Sequence, residues 1–230
     1  MASSIPEHLA FVVIGLCALI TGCYCTDFTI QNKCPFPIWP ASFNPSSGLE
    51  LPPGMQTILH VPPQQQAGRI WGRTGCNFSA QGTGSCQTGD CGGQLNCQLT
   101  GAVPTSLVEF TLGGSGNQDY YDISLVDGFN LPVGVAPSTS SCQSISCNKN
   151  VLADCPAQLK GDGVCKNACL AFPSNDQYCC RGQYVDNCPP NEYSKFFKGE
   201  CPQAYSYAKD DATSTFVCPT GATYTVTFCP

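Results

Sequence analysis

The chain has 230 residues, of which only 11% are charged, while Gly (23), Pro (19) and Cys (19) are abundant. This length allows one large domain with a substantial core, and the composition is typical of a loop-rich, cross-linked extracellular protein. The formal net charge is −6 and the ten Lys and Arg are scattered singly, which argues against binding nucleic acid or an anionic membrane through a basic patch.

Residues 1–25 have the pattern of a secretory signal peptide. An apolar run, Leu9–Ile20, is followed by small residues at Cys23 and Cys25 that suit a cleavage site. The run is shorter than the ~20 residues that span a bilayer, although the absence of Lys or Arg before it leaves a retained anchor as the alternative. We therefore predict cleavage and a mature chain of 26–230.

The cysteine count supports this cleavage. The chain has 19 cysteines, and loss of Cys17, Cys23 and Cys25 leaves sixteen, an even number that allows up to eight disulfides. Zinc binding is the alternative, but His60 is the one mature histidine and no C-x2-C pair repeats, so we predict no metal site. The same scarcity argues against a Ser-His or Cys-His catalytic pair.

Short alternating runs dominate the chain from Thr26 to Thr74. They read "DFTIQNK", "FPIWPAS", "MQTILHV" and "GRIWGRT", and Pro and Gly signals near Pro52 and Pro62 separate them. Strands of four to seven residues at this spacing predict an antiparallel sandwich or barrel.

The next segment, 76–97, contains four cysteines and almost no large apolar side chain, so we predict a small stapled loop. It carries the sequon at Asn77, a predicted glycosylation site. Strand patterning resumes in "LVEFTLGGSGNQDYYDISLVDG" at 107–128, which predicts a hairpin around a Gly-rich turn, and Pro and Ser dominate 132–141.

Residues 142–201 contain more than half of the mature cysteines. Apolar spacing predicts short helices within 148–160 and 192–205. Alternation returns over 213–218 and 222–229, and we expect the last strand to complete the sheet begun by the first.

The predicted organisation is a mainly β protein with two disulfide-rich excursions. The flattened antiparallel β-barrel or sandwich core comprises 26–75, 98–141 and 202–230, the small loop 76–97, and the larger subdomain with short helices 142–201. A groove between the core and an excursion is the natural place for a ligand.

Several motifs resemble the thaumatin-like proteins, the plant pathogenesis-related group 5. "GTGSCQTGDCGG" at 82–93 is similar to their signature, and "YYDISLVDGFNLPV", "YSKFFKGECPQAYSYAKDDATSTFVC" and "TVTFCP" follow their pattern along the mature chain. The resemblance implies an eleven-stranded flattened barrel or sandwich, eight disulfides and no cofactor.

The resemblance also implies the pairing of the cysteines, which sequence alone leaves open. The implied pairs are Cys34–Cys229, Cys76–Cys86, Cys91–Cys97, Cys142–Cys218, Cys147–Cys201, Cys155–Cys165, Cys169–Cys179 and Cys180–Cys188.

An acidic cleft is the site that the resemblance implies. The matching positions are Arg69, Glu109, Asp122, Asp127 and Asp210, with the adjacent Asp211 as the alternative to the last.

The residues by themselves leave two interpretations of these acids open. Alternation directs Glu109 and Asp122 away from the core-facing side chains, so they form either a solvated outer face or the floor of a site. Asp119 and Asp127 are expected as solvated turn acids in the first case. In the second case Asp127 joins the site, and four aromatic residues provide stacking platforms or core: Tyr121, Phe129, Tyr205 and Tyr207.

The resemblance implies a secreted plant defence (antifungal) protein of the apoplast or cell wall, expected to be a monomer, that binds fungal cell-wall β-1,3-glucan in this cleft. A weak endo-β-1,3-glucanase is the enzymatic alternative, with Glu109 as candidate general acid and Asp122 or Asp127 as partner. A hydrolase inhibitor or a membrane-permeabilising protein is the third.

Overall fold

The computed structural model describes residues 25–230. The predicted signal peptide therefore lies outside the described residues, apart from Cys25. Within the described residues, no helix has the length and apolar character to cross a membrane.

Two sheets with eleven strands in all make up the core. In spatial order, the five-stranded sheet contains β11 (Ile145–Cys147), β10 (Val133–Pro137), β15 (Tyr224–Phe228), β1 (Thr26–Asn32) and β4 (Gln56–Val61). The six-stranded sheet contains β14 (Phe216–Pro219), β9 (Gln118–Ser124), β8 (Leu107–Gly114), β5 (Gly68–Arg73), β2 (Trp39–Phe43) and β3 (Ser47–Gly48). The predicted mainly β sandwich is confirmed, as two sheets rather than one closed barrel.

Aromatic side chains join the two sheets. Phe28 of β1 lies 4.5 Å from Phe110 of β8 between ring centroids, and Tyr224 of β15 lies 5.5 Å from Tyr121 of β9. All four rings are buried because strand alternation directs them to the inner faces. The outer face of the six-stranded sheet remains available for a site.

The two ends of the chain meet in the five-stranded sheet. β1 pairs with β15 in parallel, with Phe28 opposite Tyr224, and the Cys34–Cys229 disulfide joins the strand ends. The expected partnership of first and last strands is present, but a purely antiparallel core is wrong at this pair. A strand over Val133–Pro137, within the Pro- and Ser-rich segment, was also missed.

The small loop contains β6 (Asn77–Phe78) and β7 (Gly84–Ser85), and Arg73 anchors it to the core. The buried guanidinium of Arg73 donates hydrogen bonds to the carbonyls of Gln94 and Leu95 at 2.8 and 2.7 Å. A loop with little apolar surface is therefore held by disulfides and by one buried cation rather than by a core of its own.

The larger subdomain contains short elements. They are α1 (Val151–Asp154), β12 (Lys160–Gly161), β13 (Val164–Cys165), α2 (Ala168–Ala171), a 3₁₀ turn (Gly182–Tyr184) and α3 (Glu192–Glu200); α4 (Asp211–Ser214) follows it.

The two predicted helices differ in outcome. α3 forms because Asn191 and Ser194 make a capping box at its start. The segment 148–160 gives only the single turn of α1, because Cys155 precedes Pro156 and the residue before proline disfavours the helical conformation.

Within residues 25–230, eight disulfides are present, as predicted in number, and the cysteines pair as the resemblance implies. The bonds are Cys34–Cys229, Cys76–Cys86, Cys91–Cys97, Cys142–Cys218, Cys147–Cys201, Cys155–Cys165, Cys169–Cys179 and Cys180–Cys188.

Candidate functional site

Three neighbouring strands bring Arg69, Glu109 and Asp122 into one row across the six-stranded sheet. Arg69 of β5 lies opposite Glu109 of β8, and Glu109 lies opposite Asp122 of β9. Directly opposed residues on antiparallel strands have Cβ atoms roughly 4.5–5.5 Å apart, close enough for their side chains to interact. Arg69 Nε accordingly donates to Glu109 Oε1 at 2.8 Å. Strand register thus pairs the Arg69 cation with the Glu109 carboxylate.

This row forms the floor of an open cleft of about 340 Å³. One wall comes from the segment after α3. In this segment Tyr205 lies beside the end of β9: its N–H donates to the carbonyl of Ile123 at 2.8 Å, and its carbonyl accepts from the N–H of Leu125 at 2.9 Å. The cleft therefore lies between the sandwich and the segment that leaves the disulfide-rich subdomain.

Asp127 reaches the cleft from the turn after β9. The turn requires Gly128, whose φ of +91° favours glycine and where a Cβ atom would lie 2.8 Å from the carbonyl oxygen of Cys165. Burial raises the pKa of Asp127, and the nearby Arg69 opposes that shift. The expected turn chemistry and the expected place in the cleft therefore both hold for this residue.

Asp122 has the most perturbed environment of the three cleft acids. Burial raises its pKa to about 8; Glu109 raises it further, Arg69 opposes the shift, and Asp211 adds the smallest increase. Its Oδ1 atom is buried and has no hydrogen-bond partner among the described residues. A buried carboxyl without a partner favours the neutral form, so Asp122 retains its proton at neutral pH.

The surroundings of Glu109 and Asp122 differ. Glu109 was the candidate general acid, but it faces the Arg69 cation directly and accepts its hydrogen bond. Asp122 lies one strand further from that cation, and its buried Oδ1 atom has no hydrogen-bond partner among the described residues. These surroundings favour a protonated Asp122, and the catalytic roles of Glu109 and Asp122 stay predictions.

Asp210, the expected fifth member, has a structural role. Its carboxylate accepts hydrogen bonds from Ser206 and Thr213 and an ion pair from Lys198 at 3.0 Å. Burial favours a higher pKa for Asp210, but these hydrogen bonds together outweigh it and lower the pKa. Its side chain fixes the segment after α3 rather than lining the cleft.

Asp211, the alternative to Asp210, interacts with residues of the cleft. It is exposed, accepts a hydrogen bond from the cleft residue Tyr205 at 2.9 Å, and contributes to the raised pKa of Asp122. The structure therefore groups Arg69, Glu109, Asp122 and Asp127, with Asp211 at the rim.

The expectation that Asp119 is a solvated turn acid is wrong. Asp119 is 1% exposed, and its carboxylate accepts hydrogen bonds from the Gly113 N–H and the Tyr224 hydroxyl, each at 2.9 Å. Strand alternation explains the burial, because Asp119 shares the core face of β9 with Tyr121.

Of the four aromatic candidates, two belong to the core and two line cavities. Tyr121 and Phe129 are 1% and 0% exposed and belong to the core, so they are not stacking platforms. Tyr205 lines the cleft, and Tyr207 lines an adjoining cavity.

Sequence analysis did not assign three further lining residues, Thr111, Tyr120 and Ser124. Strand alternation could have identified them, because Tyr120 and Ser124 lie two positions on either side of Asp122, and Thr111 lies two positions after Glu109. Alternation places all three on the outer face.

Two further predicted features lie outside the cleft. Asn77 is exposed on β6, and its glycosylation stays a prediction. Among residues 25–230, no group of three or more His, Cys, Asp or Glu side chains is placed to hold a metal ion.

Fold and site together define a class of protein: a β-sandwich stapled by eight disulfides, with an acidic cleft on its larger sheet. A profile of the Thaumatin family matches residues 32–230. The pathogenesis-related thaumatin-like protein 3.7 of Cryptomeria japonica is 53% identical in an alignment 232 residues long, which covers 99% of this chain and 100% of the relative. The chain therefore belongs to the thaumatin family, in the group of pathogenesis-related thaumatin-like proteins.

Solved structures share the fold. The thaumatin-like xylanase inhibitor TLXI aligns with a TM-score of 0.52 at 26% identity, over 88% of this chain and 99% of the inhibitor. A β-1,3-glucanase domain (GH64) from Clostridium beijerinckii aligns with a TM-score of 0.57, over 89% of this chain and 98% of that chain. The identity to the glucanase domain is 8%, so this likeness concerns the fold alone.

Proposed function

We propose that this protein is a secreted defence protein of the apoplast or cell wall that binds β-1,3-glucan of fungal cell walls in the acidic cleft. The observation that carries the proposal is the row of Arg69, Glu109 and Asp122 on the floor of an open cleft. Sugar hydroxyls donate hydrogen bonds to carboxylates, and Arg69 and a protonated Asp122 supply donors to sugar oxygens.

Two further observations support the proposal. Tyr120 and Tyr205 line the same cleft, and aromatic rings offer apolar faces to the C–H faces of sugars. Eight disulfides are typical of a protein that matures in the secretory pathway and functions outside the cell.

Co-sedimentation with insoluble β-1,3-glucan tests this function. The double variant Glu109→Gln and Asp122→Asn retains side-chain volume but removes the charge and changes the donors of the cleft floor, so we expect it to remain in the supernatant. The matched control makes the same chemical changes at the exposed Glu50 and Asp186, outside the cleft lining, and should sediment like the wild type. Equal sedimentation of both double variants would show that the cleft does not hold the polymer.

Hydrolysis of the same polymer is a second candidate function, and the pKa of Asp122 favours it. Glycosidases need one protonated carboxyl as general acid and a second carboxylate as base or nucleophile. Asp122, with a pKa raised to about 8, has the properties of the first, and Glu109 lies opposite it on β8 as the second. Asp127 is the other carboxyl within the same cleft.

Release of reducing ends from laminarin separates cleavage from binding. A hydrolase that uses Asp122 as general acid should release them below about pH 8, where Asp122 is protonated, and should lose activity above it. Asp122→Asn should abolish release while retaining co-sedimentation. A wild type that sediments with glucan but releases nothing over this range is a binding protein only. Hydrolase inhibition and membrane permeabilisation stay predictions from the resemblance.

A further inference from the structure

A second cavity continues the acidic cleft towards the disulfide-rich subdomain. It has a volume of about 180 Å³, and its lining includes Val126, Asp127 and Ala208, which also line the cleft. The two cavities therefore share a boundary of three residues. The two cavities are therefore adjacent, as binding of one chain-like ligand by both would require.

The lining of this second cavity suits the face of a sugar. Tyr178 and Tyr207 contribute aromatic rings, and Leu170 contributes apolar surface. A pyranose ring presents an apolar C–H face and a polar rim, so it is bound by an aromatic or aliphatic wall together with a few polar groups.

The ring of Tyr178 is held in a fixed orientation. Its centroid lies 5.6 Å from that of Phe172 and 5.7 Å from that of Tyr193, the latter pair edge to face. Its hydroxyl donates a hydrogen bond to Glu192. A ring that is already immobilised loses little conformational entropy when a ligand stacks on it.

Polar donors complete the lining. The Oδ1 atoms of Asn167 and Asn191 accept hydrogen bonds from the backbone at the starts of α2 and α3, which fixes both side chains. Neither Nδ2 atom donates a hydrogen bond within the described part of the chain, and both side chains line the cavity. Two oriented amide groups are therefore available to sugar oxygens.

We propose that the cavity lined by Tyr178 and Tyr207 is an additional sugar subsite, which binds the continuation of a β-1,3-glucan chain held in the acidic cleft. This inference rests on the proposed function and deepens it. The ligand class becomes an oligosaccharide long enough to occupy both cavities, rather than a short fragment.

Calorimetric titration with laminaribiose and laminarihexaose tests the subsite. The wild type should bind laminarihexaose more tightly, because only the longer ligand reaches the second cavity. Tyr207→Leu should weaken laminarihexaose binding roughly three- to tenfold, the range expected for one aromatic stacking contact, and should leave laminaribiose binding unchanged. Tyr184→Leu is the matched control, since Tyr184 is a half-buried tyrosine of the same subdomain that lines neither cavity.

A second pair of variants, at Tyr178, distinguishes loss of the aromatic ring from a general effect of substitution on folding. Tyr178→Phe loses the hydrogen bond to Glu192 but keeps the ring, and should bind laminarihexaose like the wild type. Tyr178→Leu should weaken laminarihexaose binding, as Tyr207→Leu does.

The outcomes separate the two proposals. Wild-type protein that binds both ligands equally, or a Tyr207→Leu variant with unchanged laminarihexaose affinity, would overturn the subsite and leave glucan binding in the cleft intact. Failure of the wild type to bind either oligosaccharide or the insoluble polymer would overturn both proposals.

Discussion

The raised pKa of Asp122 predicts that the stability of the protein falls as pH rises from about 4 to about 8. Burial and the neighbouring Glu109 raise this pKa from 3.8 to about 8 in the folded state. Below about pH 4 both the folded and unfolded states hold the proton. Between the two pKa values the unfolded chain releases it while the folded protein retains it, so the free energy of unfolding decreases with pH.

The size of this effect follows from the shift. Each pKa unit corresponds to about 1.4 kcal/mol, so a shift of about four units corresponds to a total decrease of roughly 5 to 6 kcal/mol at a slope of about 1.4 kcal/mol per pH unit. Asp122→Asn cannot ionise and should lack this decrease. Relative to the wild type, the variant should therefore gain stability steadily up to about pH 8 and show a constant difference above it.

Guanidinium unfolding of the disulfide-intact protein at a series of pH values measures this difference. Tryptophan fluorescence is a suitable signal because Trp71 is fully buried. The variant Asp186→Asn, at an exposed position outside the cleft, should give a curve parallel to that of the wild type. If the Asp122→Asn curve is also parallel between pH 4 and pH 8, burial does not hold the proton on Asp122 and the assignment of the general acid is wrong.

Three other variants test neighbouring contacts. Arg69→Gln removes the cation that lowers the pKa of Asp122, so a carboxyl NMR titration should show that pKa rising further, whereas an unchanged or lower pKa would contradict the electrostatics. Asp119→Asn disturbs a buried acceptor of two hydrogen bonds and should cost about 1–3 kcal/mol in guanidinium unfolding; a loss no larger than that of a surface Asp→Asn change would argue against its structural role. Lys198→Met removes the cation bound to Asp210, Ala204 and Ser214, so it should lower the unfolding midpoint and weaken glucan co-sedimentation by loosening the cleft wall; unchanged co-sedimentation would show that the wall needs no such anchor.

Strand alternation explains both the successes and one failure of sequence reasoning. It placed Glu109 and Asp122 on the outer face of a hairpin, where the structure has them, since period-two side-chain direction is a local property. The same rule places Asp119 on the core face with Tyr121, and the preference of Asp for turns misled the prediction there.

Local sequence patterns could not predict the contacts between distant segments. The parallel pairing of β1 with β15 joins residues almost 200 positions apart, and no short-range signal states its direction. The choice between Asp210 and Asp211 depended on Lys198 reaching across from α3, since that ion pair gives Asp210 a structural role.

The sequence by itself determined the elements and the chemistry of this protein: alternating strands, an even number of cysteines within 26–230, and acids at outward-facing positions. Tertiary structure decided which acid holds a proton. A pKa depends on burial and on charges brought near through space, and only the register of β5, β8 and β9 places Arg69 against Glu109 while leaving the Oδ1 atom of Asp122 buried without a hydrogen-bond partner among the described residues.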